Sequence, residues 1–146
     1  FGPVPSEDLL IELSETPAES VRARAASLMG LHPGKRSAKQ LEIMLNDDDL
    51  RVKRAACEAI LRSAQWPKST DAVVRLLGSQ DRTVAFLARR VLERMPVDLW
   101  KDAVLTHNDT KVQLLGSLAL VNAKQDEATA MEVLTVVSDL MAGFLT

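Results

Sequence analysis

The chain has 146 residues, of which 47% are apolar and 26% charged, with a formal net charge of −2. Aromatic residues make up only 3% and tyrosine is absent. That removes the stacking platforms on which single-stranded nucleic acids are held, and so weak a net charge draws in neither DNA nor an anionic membrane. One cysteine rules out an intrachain disulfide, and no apolar run is read as approaching the roughly 18 residues of a membrane span.

Phe1-Gly2-Pro3-Val4-Pro5 opens the chain without an initiator methionine or a charged-then-apolar signal. The expectation is a processed chain or a piece of a longer protein. The compartment stays open, with the cytoplasm as default and any targeting signal outside the piece. Ser6 is placed to cap a first helix running to about Glu15, with Leu9, Leu10 and Leu13 inward. Thr16-Pro17-Ala18-Glu19 reads as a capping box with proline at the first helical position, so Thr16 is expected to cap a partner helix ending at Gly30. His32-Pro33-Gly34 is a loop signal. A second outer helix follows over about 38–46. Asp47-Asp48-Asp49 then makes the turn into Asp49–Leu61, where Val52, Ala55, Ala56, Ala59 and Ile60 form one apolar stripe.

Trp66-Pro67 marks the next break. Val73, Leu76 and Leu77 form a third outer helix, and Asp81 caps an inner helix from Val84 to about Met95. The fourth pair places Trp100, Val104 and Leu105 inward, then Asp109 as cap and Val112 to about Ala123 as inner helix. A final segment, 126–142, is apolar over much of its circumference, so it is expected to be buried or covered by a partner. No strand pattern competes.

Val21, Val52, Val84 and Val112 each begin an inner-helix stripe. In three of the four copies an aspartate stands three residues earlier: Asp49, Asp81 and Asp109. A period of this length signals stacked helix pairs. Repeats are placed at about 6–31, 38–63, 70–95 and 98–123, within one domain over 1–146.

The pattern of leucines, an acidic turn, then valine–basic–two variable residues–alanine–alanine resembles the HEAT repeat, in the short form related to phycocyanobilin-lyase subunits. Val21 to Gly30 carries it best and Asp49 to Leu61 nearly as well. Asp81 to Glu93 has Ala85 at the basic position, and Asp109 to Val121 has Gln113 there and Gly116 for an alanine. The resemblance implies an all-α, right-handed superhelix of antiparallel pairs, with second helices lining a concave face. It implies a protein-binding scaffold. Alternatives within the resemblance are a nucleic-acid binder and an accessory subunit for chromophore attachment.

Outer helices and turns are acidic and inner helices basic. Stacked at the repeat spacing, the residue after the valine sets Arg22 above Lys53, and the fifth after it sets Cys57 above Arg89. Arg22, Arg51, Lys53, Arg54, Cys57, Arg82 and Arg89 are therefore the candidate partner-binding band, with Trp66 as a candidate anchor. A solvated face neutralised by local carboxylates explains the same charges. Thr16, Asp49, Asp81 and Asp109 are read as helix caps rather than catalytic acids. His32 and His107 lack a second ligand at metal spacing. Cys57 has no histidine at a useful offset, and no phosphate loop or nucleophile elbow is present. The sequence thus predicts no catalytic residue, no metal and no cofactor. It predicts a partner that is another protein or another domain of the same chain, with self-association through the last helix as a further role.

Overall fold

Nine α-helices and one 3-10 turn make up the regular structure of the described residues, 3–145, in a computed structural model of the protein. They are α1 (Glu7–Ser14), α2 (Glu19–Leu31), α3 (Lys35–Met44), α4 (Leu50–Ser63), α5 (Asp71–Leu76), α6 (Arg82–Arg94), α7 (Lys101–Leu105), α8 (Thr110–Ala123) and α9 (Glu127–Leu145), with the 3-10 turn Val97–Leu99 leading into α7. The helices group into two units, Phe1–Ala72 and Val73–Thr146.

The inner helices start where an aspartate satisfies their first free N–H groups. Asp49 Oδ1 accepts from the N–H of Arg51 at 2.8 Å and of Val52 at 3.3 Å. Asp81 Oδ1 accepts from Val84 at 2.9 Å, and Asp109 Oδ1 from Lys111 at 2.8 Å and Val112 at 3.2 Å. Each cap also donates its own N–H two residues back, to Asp47 Oδ1, Ser79 Oγ and His107 Nδ1 at 2.9, 3.2 and 3.0 Å. One turn geometry is thus closed by three different acceptors. His107 serves as a turn residue, its Nδ1 accepting from the Asp109 N–H.

Thr16 does not cap α2. Ala18 holds the N-cap position without a side-chain bond, and the Thr16 hydroxyl donates to the Leu13 carbonyl at 2.9 Å. The open carbonyls at the end of α1 lie within the hydroxyl's reach, whereas the first turn of α2 forms two residues further on. Arg22 Nη1 then takes the exposed carbonyls of Thr16 and Pro17, at 3.1 and 2.9 Å. Helix α3 begins at Gly34 with no capping side chain of its own, and Glu7 of α1 supplies one, its Oε1 accepting from Ser37 N–H at 3.1 Å.

Small residues set the packing distances. In the first unit, Ala25, Ala26, Met29 and Gly30 of α2 are buried, as are Val52, Ala55, Ala56, Ala59 and Ile60 of α4. The backbones approach so closely that a Cβ on Gly30 would stand 2.7 Å from Ala59 Cα. In the second unit α8 lies on α7, and a Cβ on Gly116 would stand 2.4 Å from Val104 Cβ. Trp100 is fully buried beside it, its Nε1–H donating to the Met95 carbonyl at 3.4 Å.

The last helix bears on two expectations. It runs 19 residues, about 28 Å at 1.5 Å per residue, and its mean hydropathy of 1.5 makes it long and apolar enough to cross a membrane by length and composition. Glu132 and Asp139 interrupt the apolar run in the sequence, which is why no span is read there, yet the average over the helix remains high. Nor is it buried. Only Thr129 and Val133 are, while Met131, Leu134 and Met141 are 57–58% exposed. Helix α8 covers one side of it, and Lys101 of α7 pairs with Glu132 at 2.8 Å.

The α2/α4 contact yields a test with an inverted sign. In an ordinary helix interior, Gly→Ala stabilises by up to about 1 kcal/mol. Gly30→Ala forces α2 off Ala59 and should instead destabilise by about 1–3 kcal/mol, measured by urea denaturation of the whole chain.

Candidate functional site

The sequence proposes a continuous basic band, and the residues assigned to it meet different fates. Arg22 is a structural cross-brace. Its Nε donates to Asp47 Oδ2 at 2.8 Å and its Nη2 to Asp47 Oδ1 at 3.0 Å, a two-pronged contact that joins α2 to the turn before α4. Its side chain is 17% exposed. The guanidinium beside it holds the Asp47 carboxyl below its ordinary 3.8, outweighing burial, with help from the Asp49 N–H and the charge of Lys53. Lys53 and Arg54 are half-buried on α4. Arg51 is exposed and pairs with Glu19 of α2 at 2.9 Å and with Asp49 at 3.5 Å.

Cys57 leaves the band altogether. It is fully buried in α4, and burial, reinforced by the charge of Glu58, pushes its thiol up to about 12. The neighbouring cations of α4 do not activate it, because the sulfur points into the core. Arg89 and Cys57 share a repeat position, yet Arg89 lies at the surface and Cys57 does not. Trp66 is half-buried and lines a cavity of about 540 Å³ with the outer helix α3, among Ile43, Lys35, Lys39 and Lys68. It therefore accompanies an outer helix rather than the α4 face that carries Arg51 and Lys53.

What the sequence reading misses is apolar. Between α6 and α8 runs a groove of about 310 Å³ floored by Ala85, Phe86, Leu115 and Leu118. Arg82, Arg89 and Lys111 stand along its rim. Phe86 is 50% exposed and Leu118 45%. Arg89 lies over the Phe86 ring, 5.4 Å from its centre, a cation–π arrangement that fixes the ring. Glu93 holds Arg89 there at 2.7 Å, pairs with Arg90 at 2.8 Å, and accepts from Asn122 of α8 at 3.0 Å. The available signal is the amphipathic count of α8: Leu114, Leu118 and Val121 recur at i, i+4 and i+7 on the side opposite Val112, Gly116 and Ala119, so the helix is apolar on two sides.

Among the described residues no cluster of His, Cys, Asp or Glu is arranged to hold a metal. A family model for HEAT repeats matches residues 6–93, more than half of the chain. The chain belongs to the HEAT repeat family. Its all-helical pairs, aspartate caps and alanine stripes are the HEAT pattern, an α-solenoid repeat, and the fourth pair continues that pattern beyond the matched residues. No curated protein matches the chain. HEAT repeats commonly mediate protein–protein interaction, and the family is typically non-catalytic.

Two measurements follow from this geometry. Because the folded-state pKa of Asp47 is depressed, its contribution is fully present above the unfolded value of 3.8 and is lost as pH falls through the folded value. Asp47→Asn should therefore lower the urea midpoint at pH 7, and the deficit against wild type should shrink toward zero as pH falls from 3.8 down through the lowered folded-state value. Cys57 should resist a thiol reagent such as DTNB at pH 8 in the native chain and react at once in denaturant. Rapid native labelling would mean that the sulfur reaches solvent.

Proposed function

We propose that this HEAT chain is a non-enzymatic interaction module that binds another protein, or another domain of its own longer chain, on the face of its second helices. The observation that carries the reading is the α6/α8 groove, where Phe86 and Leu118 are 45–50% exposed on a helix pair whose opposite sides are already buried. Solvent-facing helix surfaces are ordinarily polar. Apolar surface of this kind, rimmed by charge, is the usual composition of a recognition patch. The exposed side of α9 supports a further role in assembly, including self-association.

Binding of nucleic acid through the same cations is the competing reading. It gains nothing from the apolar floor, and the arginines assigned to the band on α2 and α4 are largely engaged by carboxylates: Arg22 by Asp47, and Arg51 by Glu19.

The test places a photo-crosslinking benzoylphenylalanine at position 118, and separately at Lys39, in the full chain within its host cells. Position 118 should give discrete protein adducts that disappear when Phe86→Ala is added. Adducts only from position 39 would move the site to the Trp66 cavity. Nucleic-acid adducts from position 118 would sink the protein-binding reading.

A further inference from the structure

Resting on that reading, we infer that the α6/α8 groove selects an acidic segment carrying a bulky apolar side chain, which seats against Phe86 and Leu118 while its carboxylates meet Arg82 and Lys111. The charge balance of the groove gives the argument. All three charged residues lining it are cations. The carboxylates nearest in the fold are committed. Glu93 is 6% exposed at its side chain, with Oε1 accepting from Arg89 and Asn122 and Oε2 from Arg90. Asp109 accepts the first N–H groups of α8. Arg89 is neutralised by Glu93, so the positive potential over the apolar floor comes from Arg82 and Lys111, and a basic partner is repelled there.

The cations are also held in position. Arg89 is clamped between Glu93 and the Phe86 ring, and Lys111 Nζ donates to the Ser79 carbonyl. Held cations lose less side-chain entropy when a carboxylate arrives. The volume, about 310 Å³, is at the bottom of the roughly 300–1,000 Å³ range of small-molecule sites. With its open apolar floor, it suits one or two inserted side chains better than a cofactor. Helix α4 offers a contrast: its exposed positions include the charged Arg51, Glu58 and Arg62, and Cys57, Ala59 and Ile60 are buried.

The experiment selects an unbiased displayed library of random peptides about 12 residues long on the full chain. Enriched peptides are then assayed by fluorescence polarisation against wild type, Phe86→Ala, and Arg82→Glu with Lys111→Glu, and against a duplex DNA competitor. The expected result is enrichment of peptides with leucine, methionine or phenylalanine flanked by aspartate and glutamate. Their affinity should fall about tenfold or more on Phe86→Ala and on the charge reversal, with a far-UV spectrum unchanged in both variants. Peptides that need Phe86 but are neutral or basic would overturn this inference and leave the protein-binding reading standing. Peptides unaffected by either variant would overturn the site. Displacement of the peptides by duplex DNA at lower concentration than by unlabelled peptide, or no enrichment at all, would overturn both.

Discussion

The close approach of α2 to α4 governs this structure. Gly30 leaves the space of a side chain empty, and Ala59 fills it with the smallest one. Dispersion between two backbones at that distance is available only where neither helix carries bulk at the crossing. The alanine stripe of α4 is a condition of that contact rather than a default composition. The second unit uses its glycine differently: Gly116 of α8 makes room for the Val104 side chain of α7 rather than for a neighbouring backbone. A fold built on such contacts tolerates variety on its outward faces and very little along its stripes.

Charge serves the scaffold before it serves any ligand. Arg22 joins α2 to the turn that starts α4, Glu7 caps α3 from α1, and Glu42 accepts the N–H groups of Lys68 and Ser69 at 3.1 and 3.0 Å, holding the segment after α4 against α3. Each carboxylate satisfies backbone or guanidinium donors that would otherwise stand open where loops meet helices. The pairs run within layers and through turns: Arg36 meets Asp8 between α3 and α1, Arg51 meets Glu19 between α4 and α2, and Arg22 meets Asp47 in the turn. That is why a band read from the sequence as a ligand surface is, on α2 and α4, largely its own counterion.

Recognition is left to the surfaces that the bracing does not use. Helix α8 has one apolar side in the core and a second in solvent. Phe86 on α6 extends that second side under an arginine held by Glu93. Helix α9 presents another apolar side, larger and with its carboxylates spaced apart. The two surfaces differ in chemistry. The groove is ringed by cations, whereas α9 carries only Glu127, Glu132 and Asp139 as charged groups, one of them engaged by Lys101.

The sequence by itself determined the helices, most of the caps and the repeat. These depend on residues within a few positions of each other: Asp49, Asp81 and Asp109 before their valines, and small or apolar residues four and seven positions after each valine. Local hydrogen bonds and helical periodicity carry that information along the chain. It failed at Thr16 because the hydroxyl could either accept from an N–H opening α2 or donate to a carbonyl ending α1, and with α2 starting beyond Ala18 it donates to Leu13. It could not assign Cys57, since the cations that flank it in sequence stand on the solvent side of α4 while its sulfur faces the core. Nor could it find the α6/α8 groove, whose residues are about 30 positions apart. Which charges are spent within the protein, and which apolar side chains stay open, is decided by contacts between helices, and those distances exist only after folding.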